Sequence, residues 1–119
     1  MIRGIGTDIV EISRIRKSME NPRFLQRAFT KAENEYFKTK KMPPESVAAC
    51  FAAKEAFLKA LGIGFSDIKI KDIEILHNDL GAPYIVLYNK LKELMDGSKV
   101  HISLSHSEHY ATSVVVIEE

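Results

Sequence analysis

Apolar residues recur along the chain with two different periods, and these periods predict an order of strands and helices. Residues 2–10 have the composition of a β-strand, and residues 11–19 repeat apolar positions at helical spacing until an Asn-Pro pair interrupts them. A capping box at Thr30 and Glu33 predicts the start of a second helix, which runs to a cluster of lysines. A connector with two prolines then leads into a long helix that ends at Gly62.

The second half of the chain alternates short strands with turn residues. The predicted ranges are 68–77 and 84–88 for one strand pair, 91–95 for a short helix, and 99–105 and 110–117 for a final hairpin. The glycine-containing loop 62–66 is predicted to be mobile. This order predicts one α+β domain over residues 1–119, in which helices are inserted between the first strand and the remaining antiparallel strands.

The long helix carries charged residues among its apolar ones. At 3.6 residues per turn, Lys54 falls in the middle of the apolar face, and Glu55 and Lys59 lie on its shoulder beside alanines. A Glu and a Lys four residues apart most often form a surface pair worth about 0.3–0.5 kcal/mol. The small alanine neighbours favour the alternative, that these charges face a ligand.

One carboxylate, Asp8, stands in the apolar part of the first strand. Asp is disfavoured there unless its side chain has a function, the plain alternative being a local turn cap at the strand end. A carboxylate from a strand and another from a helix can together hold magnesium, which accepts one or two protein carboxylates and adds water and phosphate oxygens. Asp8 and Glu55 are therefore a candidate magnesium site for phosphoryl-group chemistry.

Composition narrows the class of protein. The chain has 119 residues, 45% of them hydrophobic, with a formal net charge of +1 and no Trp, which disfavours a nucleic-acid binder. A single cysteine, Cys50, excludes an intrachain disulfide and a cysteine-based metal site. The absence of a signal-peptide pattern, and of any apolar run near the roughly 18 residues of a membrane span, predicts a soluble cytoplasmic protein without a membrane partner.

Three histidines, His101, His106 and His109, lie close together in the sequence, which raises the question of a zinc site. No cysteine or obvious carboxylate completes such a set, and a hairpin would direct these side chains differently. Zinc is not expected on these grounds.

Three motifs together resemble a known enzyme family. They are Gly4-Ile5-Gly6-Thr7-Asp8-Ile9-Val10, Phe51-Ala52-Ala53-Lys54-Glu55-Ala56 with Lys59, and Ser103-Leu104-Ser105-His106-Ser107. Through them the chain resembles, from end to end, the holo-acyl-carrier-protein synthases, which are small 4'-phosphopantetheinyl transferases. The resemblance implies that family's fold and magnesium as the cofactor. It also implies transfer of the phosphopantetheine arm of coenzyme A to a serine of apo acyl-carrier protein in fatty acid biosynthesis, with 3',5'-ADP as the second product.

The resemblance also implies roles for individual residues. Asp8 and Glu55 hold the metal and form the catalytic set with Lys59, and the base for the carrier serine is either Glu55 or a water beside the metal. The residues expected to contact coenzyme A are Lys54, Lys59, Gly81, Pro83 and His106. Those expected to dock the acidic carrier protein, unless they are simply solvated, are Arg14, Arg23 and Arg27. A homotrimer with active sites between subunits is implied as well.

The chain departs from the family pattern at two positions. Cys50 and Ala82 stand where family members commonly carry a basic residue, and the loop 62–67 is short, which puts contacts to the coenzyme in doubt. A rival function is a non-catalytic carrier-protein or nucleotide-binding module. Such a module would keep the arginines and lose the metal residues, whereas Asp8 and Glu55 are both present here.

Overall fold

The structure, a computed structural model, describes residues 1–62 and 68–119 and has five helices and five strands within those ranges. In chain order they are β1 (Ile2–Glu11), α1 (Ile12–Ser18), α2 (Pro22–Ala28), α3 (Lys31–Thr39), α4 (Pro44–Leu61), β2 (Ile73–His77), β3 (Pro83–Leu87), α5 (Lys90–Leu94), β4 (Lys99–His106) and β5 (Tyr110–Glu118). The predicted mobile loop lies outside the described residues from position 63 onward. The α+β class, with helices between the first strand and the rest, is confirmed.

The strands form two antiparallel sheets within the described ranges. One has the order β1-β5-β4, and the other is the hairpin β2-β3. In β5 the side chains alternate between buried and more exposed positions, as a strand with one covered face requires. Asp8 of β1 lies opposite Ser113 of β5, so the first candidate residue lies on an edge strand of the larger sheet.

Helix α4 covers the inner face of the larger sheet and forms the middle of the core. It begins at Pro44, as proline at a first helical position favours, and ends at Gly62, whose φ of 72° is left-handed. Both ends agree with the sequence prediction. The alanines at positions 48, 52, 53 and 56 are fully buried, so the helix presents little side-chain bulk to the sheet.

Two glycines in β1 let the strand lie directly against the backbone of α4. A Cβ on Gly4 would collide with the carbonyl oxygen of Ala60, and a Cβ on Gly6 would collide with that of Ala56. Any side chain at these positions would push the strand away from the helix. The separation between Asp8 and α4 therefore depends on a backbone contact.

Helix α2 is an element that the sequence did not predict. The Asn-Pro pair was expected only to end the preceding helix, but Asn21 caps a new one by accepting a hydrogen bond from the backbone N–H of Arg23 at 3.0 Å. The strand predicted over 68–77 is also shorter, because Ile70–Asp72 form a 3-10 turn before β2. None of the helices in the described ranges combines the length and apolar character that crossing a membrane requires.

Candidate active site

The two candidate metal carboxylates lie in one cavity between β1 and the helices. Asp8 extends from the inner face of β1 with 16% of its side chain exposed, and Glu55 extends from α4. They line a cavity of about 330 Å³ together with Arg14, Phe24 and Phe51. The structure thus brings together the strand and helix carboxylates that the sequence separates by 47 positions.

Lys59 lies next to these carboxylates but is not one of the residues that line the cavity. Its Nζ donates to Asp8 Oδ1 at 3.0 Å, which joins α4 to β1. More than half of the Lys59 side chain is exposed, so water screens the ion pair and its contribution to stability is at most about 1 kcal/mol. A weakly held ammonium at this place is available to a negatively charged ligand.

The surroundings of Glu55 disfavour the charged form of its carboxyl group. Partial burial raises the pKa of Glu55 above its ordinary value, the negative charge of Asp8 raises it further, and Lys59 partly offsets both. A divalent cation beside both carboxylates would remove the repulsion that raises this pKa. No group of three or more His, Cys, Asp or Glu side chains that could hold a metal exists in the described part of the chain. Two carboxylates with open positions suit magnesium, which leaves room for water and phosphate oxygens.

Lys54 does not lie where the sequence predicted. Its side chain is completely buried, and its ammonium donates to Glu33 Oε1 at 2.6 Å and to the carbonyl oxygen of Ala28 at 2.8 Å. The prediction that this ammonium reaches a phosphate of coenzyme A is wrong, because its donors are committed inside the protein. The pairing of Glu33 with Lys54 was not predicted from the sequence. The position of Glu33 in the capping box was the available signal, since that fixes the carboxylate in the first turn of a helix, of which Glu33 and Phe37 are the buried residues.

Three of the residues predicted to contact coenzyme A line a second cavity. Gly81, Pro83 and His106 surround about 290 Å³ together with Tyr36 and His77. This cavity shares no lining residue with the one that holds Asp8 and Glu55. Within a single chain the structure therefore does not bring the two predicted parts of the site together.

The second cavity has an aromatic wall, which no pattern in the sequence predicted. The rings of Tyr36 and His77 are stacked, with centroids 4.3 Å apart and planes 6° from parallel. Burial lowers the pKa of His77, and the charge of Lys40 lowers it further. A neutral imidazole stacked on a phenol ring forms a flat, polarisable surface.

The three predicted docking arginines are exposed and lie along one side of the molecule. Arg14 lines the Asp8 cavity, whereas Arg23 and Arg27 line an adjacent cavity of about 440 Å³. Phe24 and Phe51 belong to both cavities and form an apolar surface that continues from one to the other. The arginines thus form a cationic margin around an apolar groove that leads to Asp8 and Glu55.

The match with a protein family agrees with this arrangement. Residues 4–115 match the model of the 4'-phosphopantetheinyl transferase superfamily. The chain belongs to this superfamily. The matched region includes both metal-site candidates, the docking arginines and the second cavity, so the resemblance predicted from the sequence is confirmed over nearly the whole chain.

Individual relatives are similar over their full length. A holo-[acyl-carrier-protein] synthase of Clostridium botulinum (strain Eklund 17B / Type B) is 49% identical, and the match covers 99% of this chain and 98% of the relative. The solved structure of the synthase from Neisseria meningitidis superposes with a TM-score of 0.91 at 35% identity and complete coverage of both chains. The synthase from Bacillus anthracis str. Ames, solved in complex with CoA (3',5'-ADP), superposes with a TM-score of 0.84 at 36% identity. The match covers 100% of this chain and 98% of that synthase.

Proposed function

We propose that this protein is a magnesium-dependent holo-acyl-carrier-protein synthase acting in fatty acid biosynthesis in the cytoplasm. It transfers 4'-phosphopantetheine from coenzyme A to a serine of apo acyl-carrier protein and releases 3',5'-ADP. Full-length relatives named holo-[acyl-carrier-protein] synthase, one of them 49% identical, support the transfer reaction, as does the similarity to a synthase solved with CoA (3',5'-ADP). The observation that carries the metal dependence is the Asp8 and Glu55 pair in one cavity.

The proposed roles of the site residues follow from their geometry. Asp8 and Glu55 would hold magnesium, which when bound supplies positive charge to the pyrophosphate of coenzyme A. Lys59 is held to Asp8 only by an exposed ion pair, so its ammonium can turn to a phosphate oxygen when the coenzyme enters. There it stabilises negative charge that develops as the carrier serine attacks the phosphoryl group and 3',5'-ADP departs.

The proposal includes carrier docking on the arginine side. An acidic helix of the carrier protein would lie along the groove with its carboxylates beside Arg14, Arg23 and Arg27 and its apolar residues on Phe24 and Phe51. This placement aims the carrier at the Asp8 cavity, because the apolar groove leads into it. The formal net charge of +1 is compatible with this, since steering requires only a local cluster of charge.

A homotrimer with shared active sites completes the proposal. The outer face of the β1-β5-β4 sheet exposes the apolar side chains of Ile5, Ile9 and Val114, of which Ile5 and Ile9 are more than 60% exposed. Exposed apolar residues of this size on adjacent strands favour a contact with another subunit. Assembly that also extends around the edge strand β1 would let the Gly81, Pro83 and His106 cavity of one subunit face the Asp8 cavity of its neighbour. That would explain why the two cavities are separate in one chain.

Mass spectrometry of the carrier protein tests the proposed function directly. The protein is incubated with coenzyme A, magnesium and apo acyl-carrier protein, and we expect the carrier to gain the mass of one phosphopantetheine. Matched reactions contain excess chelator, or a carrier whose acceptor serine is replaced by alanine, and both are expected to give no product. A carrier that binds but never changes mass would favour the rival non-catalytic module.

A further inference from the structure

The structure contains a buried ion pair that the proposed chemistry does not use. Lys54 and Glu33 both have 0% side-chain exposure, and their charged atoms lie 2.6 Å apart. Removing two charges from water costs several kcal/mol per ion, and apolar replacements of such pairs are often neutral or stabilising. Global stability is therefore a weak explanation for the presence of this ion pair. The hydrogen-bond partners of Lys54 and Glu33 provide a better one.

Glu33 connects three elements through its two oxygens. Oε1 accepts the backbone N–H of Thr30 at 2.8 Å, which closes the capping box of α3, and also accepts the ammonium of Lys54 from α4. Oε2 accepts the backbone N–H of Ile75 in β2 at 2.8 Å and the thiol of Cys50 at 3.2 Å. With four donors around it, the carboxylate is fully satisfied, and it fixes the direction in which the Lys54 ammonium points.

Lys54 uses its remaining donors to hold the end of α2. Its ammonium donates to the carbonyl oxygen of Ala28, the last residue of α2, at 2.8 Å and lies 5.0 Å from the centre of the Phe29 ring. A cation at a helix C-terminus satisfies a carbonyl that has no partner within the helix. In the sequence, Lys54 immediately precedes Glu55, so one ammonium joins the end of α2 to the turn of α4 that carries the metal carboxylate.

The elements joined by this ammonium have different tasks in the proposed function. Helix α2 carries Arg23 and Arg27 together with Phe24, and α4 carries Glu55 and Phe51. Phe24 and Phe51 meet in the groove, their ring centroids 6.0 Å apart. A shift of α2 relative to α4 would move Arg23 and Arg27 and widen this contact, whereas no residue of α2 lines the cavity with Gly81, Pro83 and His106.

We propose that Lys54 is a positioning residue for carrier-protein recognition. Held by Glu33, it anchors the C-terminal end of α2 to α4 and so keeps Arg23 and Arg27 at a fixed distance from Glu55. The role in carrier recognition rests on the proposed function. The anchoring of α2 to α4 is a property of the fold and does not depend on that function. Loss of the ammonium should weaken recognition of the carrier protein and leave recognition of coenzyme A unchanged.

Steady-state kinetics of a charge-neutral double variant test this role. Lys54→Met with Glu33→Gln removes both charges, so neither ion is left unpaired. We expect the KM for apo carrier protein to rise about tenfold, the size of one charge-assisted hydrogen bond, with the KM for coenzyme A within about twofold of the wild type. The matched control is Cys50→Ala, which removes another donor to Glu33 but no contact with α2, and it should leave both KM values unchanged.

Two kinetic outcomes would overturn the proposal. One is a folded double variant with the wild-type KM for the carrier protein, and the other is an equal rise in both KM values. If circular dichroism shows the double variant to be unfolded, Lys54→Gln with Glu33→Gln decides by the same ratio, because it also leaves no buried charge and keeps polar groups at both positions. It removes the ammonium from the carbonyl oxygen of Ala28, so an unchanged KM for the carrier protein would refute the anchoring role.

Amide hydrogen exchange separates this proposal from the proposed function, because it requires no activity. In the double variant, amides of α2 should exchange about tenfold faster than in Cys50→Ala, as expected when one charge-assisted hydrogen bond is lost, while those of α5 and β4 stay unchanged. Equal exchange in α2, or faster exchange throughout the chain, would contradict the anchoring role. A wild-type protein that transfers nothing, together with faster α2 exchange in the double variant, would refute the proposed function alone.

Discussion

Lys59 of α4 donates a hydrogen bond to Asp8 of β1 rather than forming the ion pair with Glu55 that its spacing on the helix suggests. The contact spans 51 positions of sequence and joins the strand that carries Asp8 to the helix that carries Glu55. Glu55 is left half-buried beside the negative charge of Asp8, and its pKa rises. The two lysines of the central motif thus have different environments. Lys59 is exposed beside Asp8, and Lys54 is fully buried against Glu33.

The metal proposal predicts that either carboxylate is indispensable. Asp8→Asn or Glu55→Gln keeps the shape of the side chain and removes one charged oxygen ligand, so transfer should fall by at least about a hundredfold. Thermal melting in the absence of magnesium should change little, because Asp8 contributes only an exposed ion pair to stability. Transfer is measured by carrier mass. Normal activity in either folded variant, or in excess chelator, would refute the site.

The titration of Glu55 in the metal-free protein gives a second prediction. Because burial and then the charge of Asp8 raise the pKa of Glu55, Asp8→Asn should lower it toward its ordinary value of 4.5. The raised pKa means that Glu55 favours the folded state below its unfolded pKa, and this contribution is lost as the pH rises through the folded pKa. Carbon-13 NMR of the side-chain carboxyl measures the shift. A pKa that does not respond to Asp8→Asn would show that the two charges do not interact.

The contact between β1 and α4 predicts a large effect from one methyl group. Gly6→Ala places a Cβ against the carbonyl oxygen of Ala56, and overpacking of this kind costs about 1–3 kcal/mol or more. We expect a lower melting temperature and a loss of transfer, since Asp8 moves away from Glu55. Thr7→Ala, at the neighbouring exposed position, is the control and should leave the melting temperature nearly unchanged. Equal melting of the two variants would contradict the close approach.

Docking through the arginines predicts a selective change in kinetics. Reversing the charge of Arg14, Arg23 or Arg27 to glutamate should raise the KM for carrier protein far more than the KM for coenzyme A. Association of the wild-type protein with the carrier should weaken between roughly 50 and 200 mM salt, as screening grows. Arg16 is an exposed arginine outside the two groove cavities, and Arg16→Glu is the control. Equal effects on both substrates would indicate a structural role instead.

The shared-site proposal predicts complementation between inactive subunits. An Asp8→Asn chain lacks the metal side of the site, and a His106→Ala chain lacks part of the second cavity, so a mixed trimer contains some sites with both parts intact. Mixing the two variants should restore part of the activity that each lacks alone. Activity of the wild-type protein should also fall on dilution. A monomer by light scattering that transfers at full rate would contradict the shared site.

The sequence predicts those parts of the fold that rest on local chemistry. The capping box at Thr30 and Glu33 and the left-handed Gly62 both mark helix ends through interactions within a few residues, and both predictions are confirmed. Helix α2 was missed because its seven residues are too short to show an apolar period, and its cap is formed by the same Asn-Pro pair that ends the previous helix.

The errors at the candidate site come from contacts between distant parts of the chain. The burial of Lys54 depends on a carboxylate 21 residues away and on a carbonyl 26 residues away, and neither is visible in the motif that contains it. The chemistry of a magnesium site predicted that Asp8 and Glu55 lie together, and the structure places both in one cavity, while the metal itself stays a prediction. The separation of Gly81, Pro83 and His106 from the cavity that holds Asp8 and Glu55 is a property of the three-dimensional fold, which cannot be derived from motif spacing.

The alternation along β1 limits which changes in chain length this molecule tolerates. Asp8 points inward to the metal cavity, and its neighbour Ile9 points outward to the exposed apolar face. Because side chains alternate with a period of two, inserting or deleting one residue before Asp8 would exchange these directions at once. The carboxylate would then face the proposed partner subunit, and an isoleucine or threonine would replace it in the cavity. Length variation among homologues should therefore concentrate in the loops and be excluded from the middle of this strand.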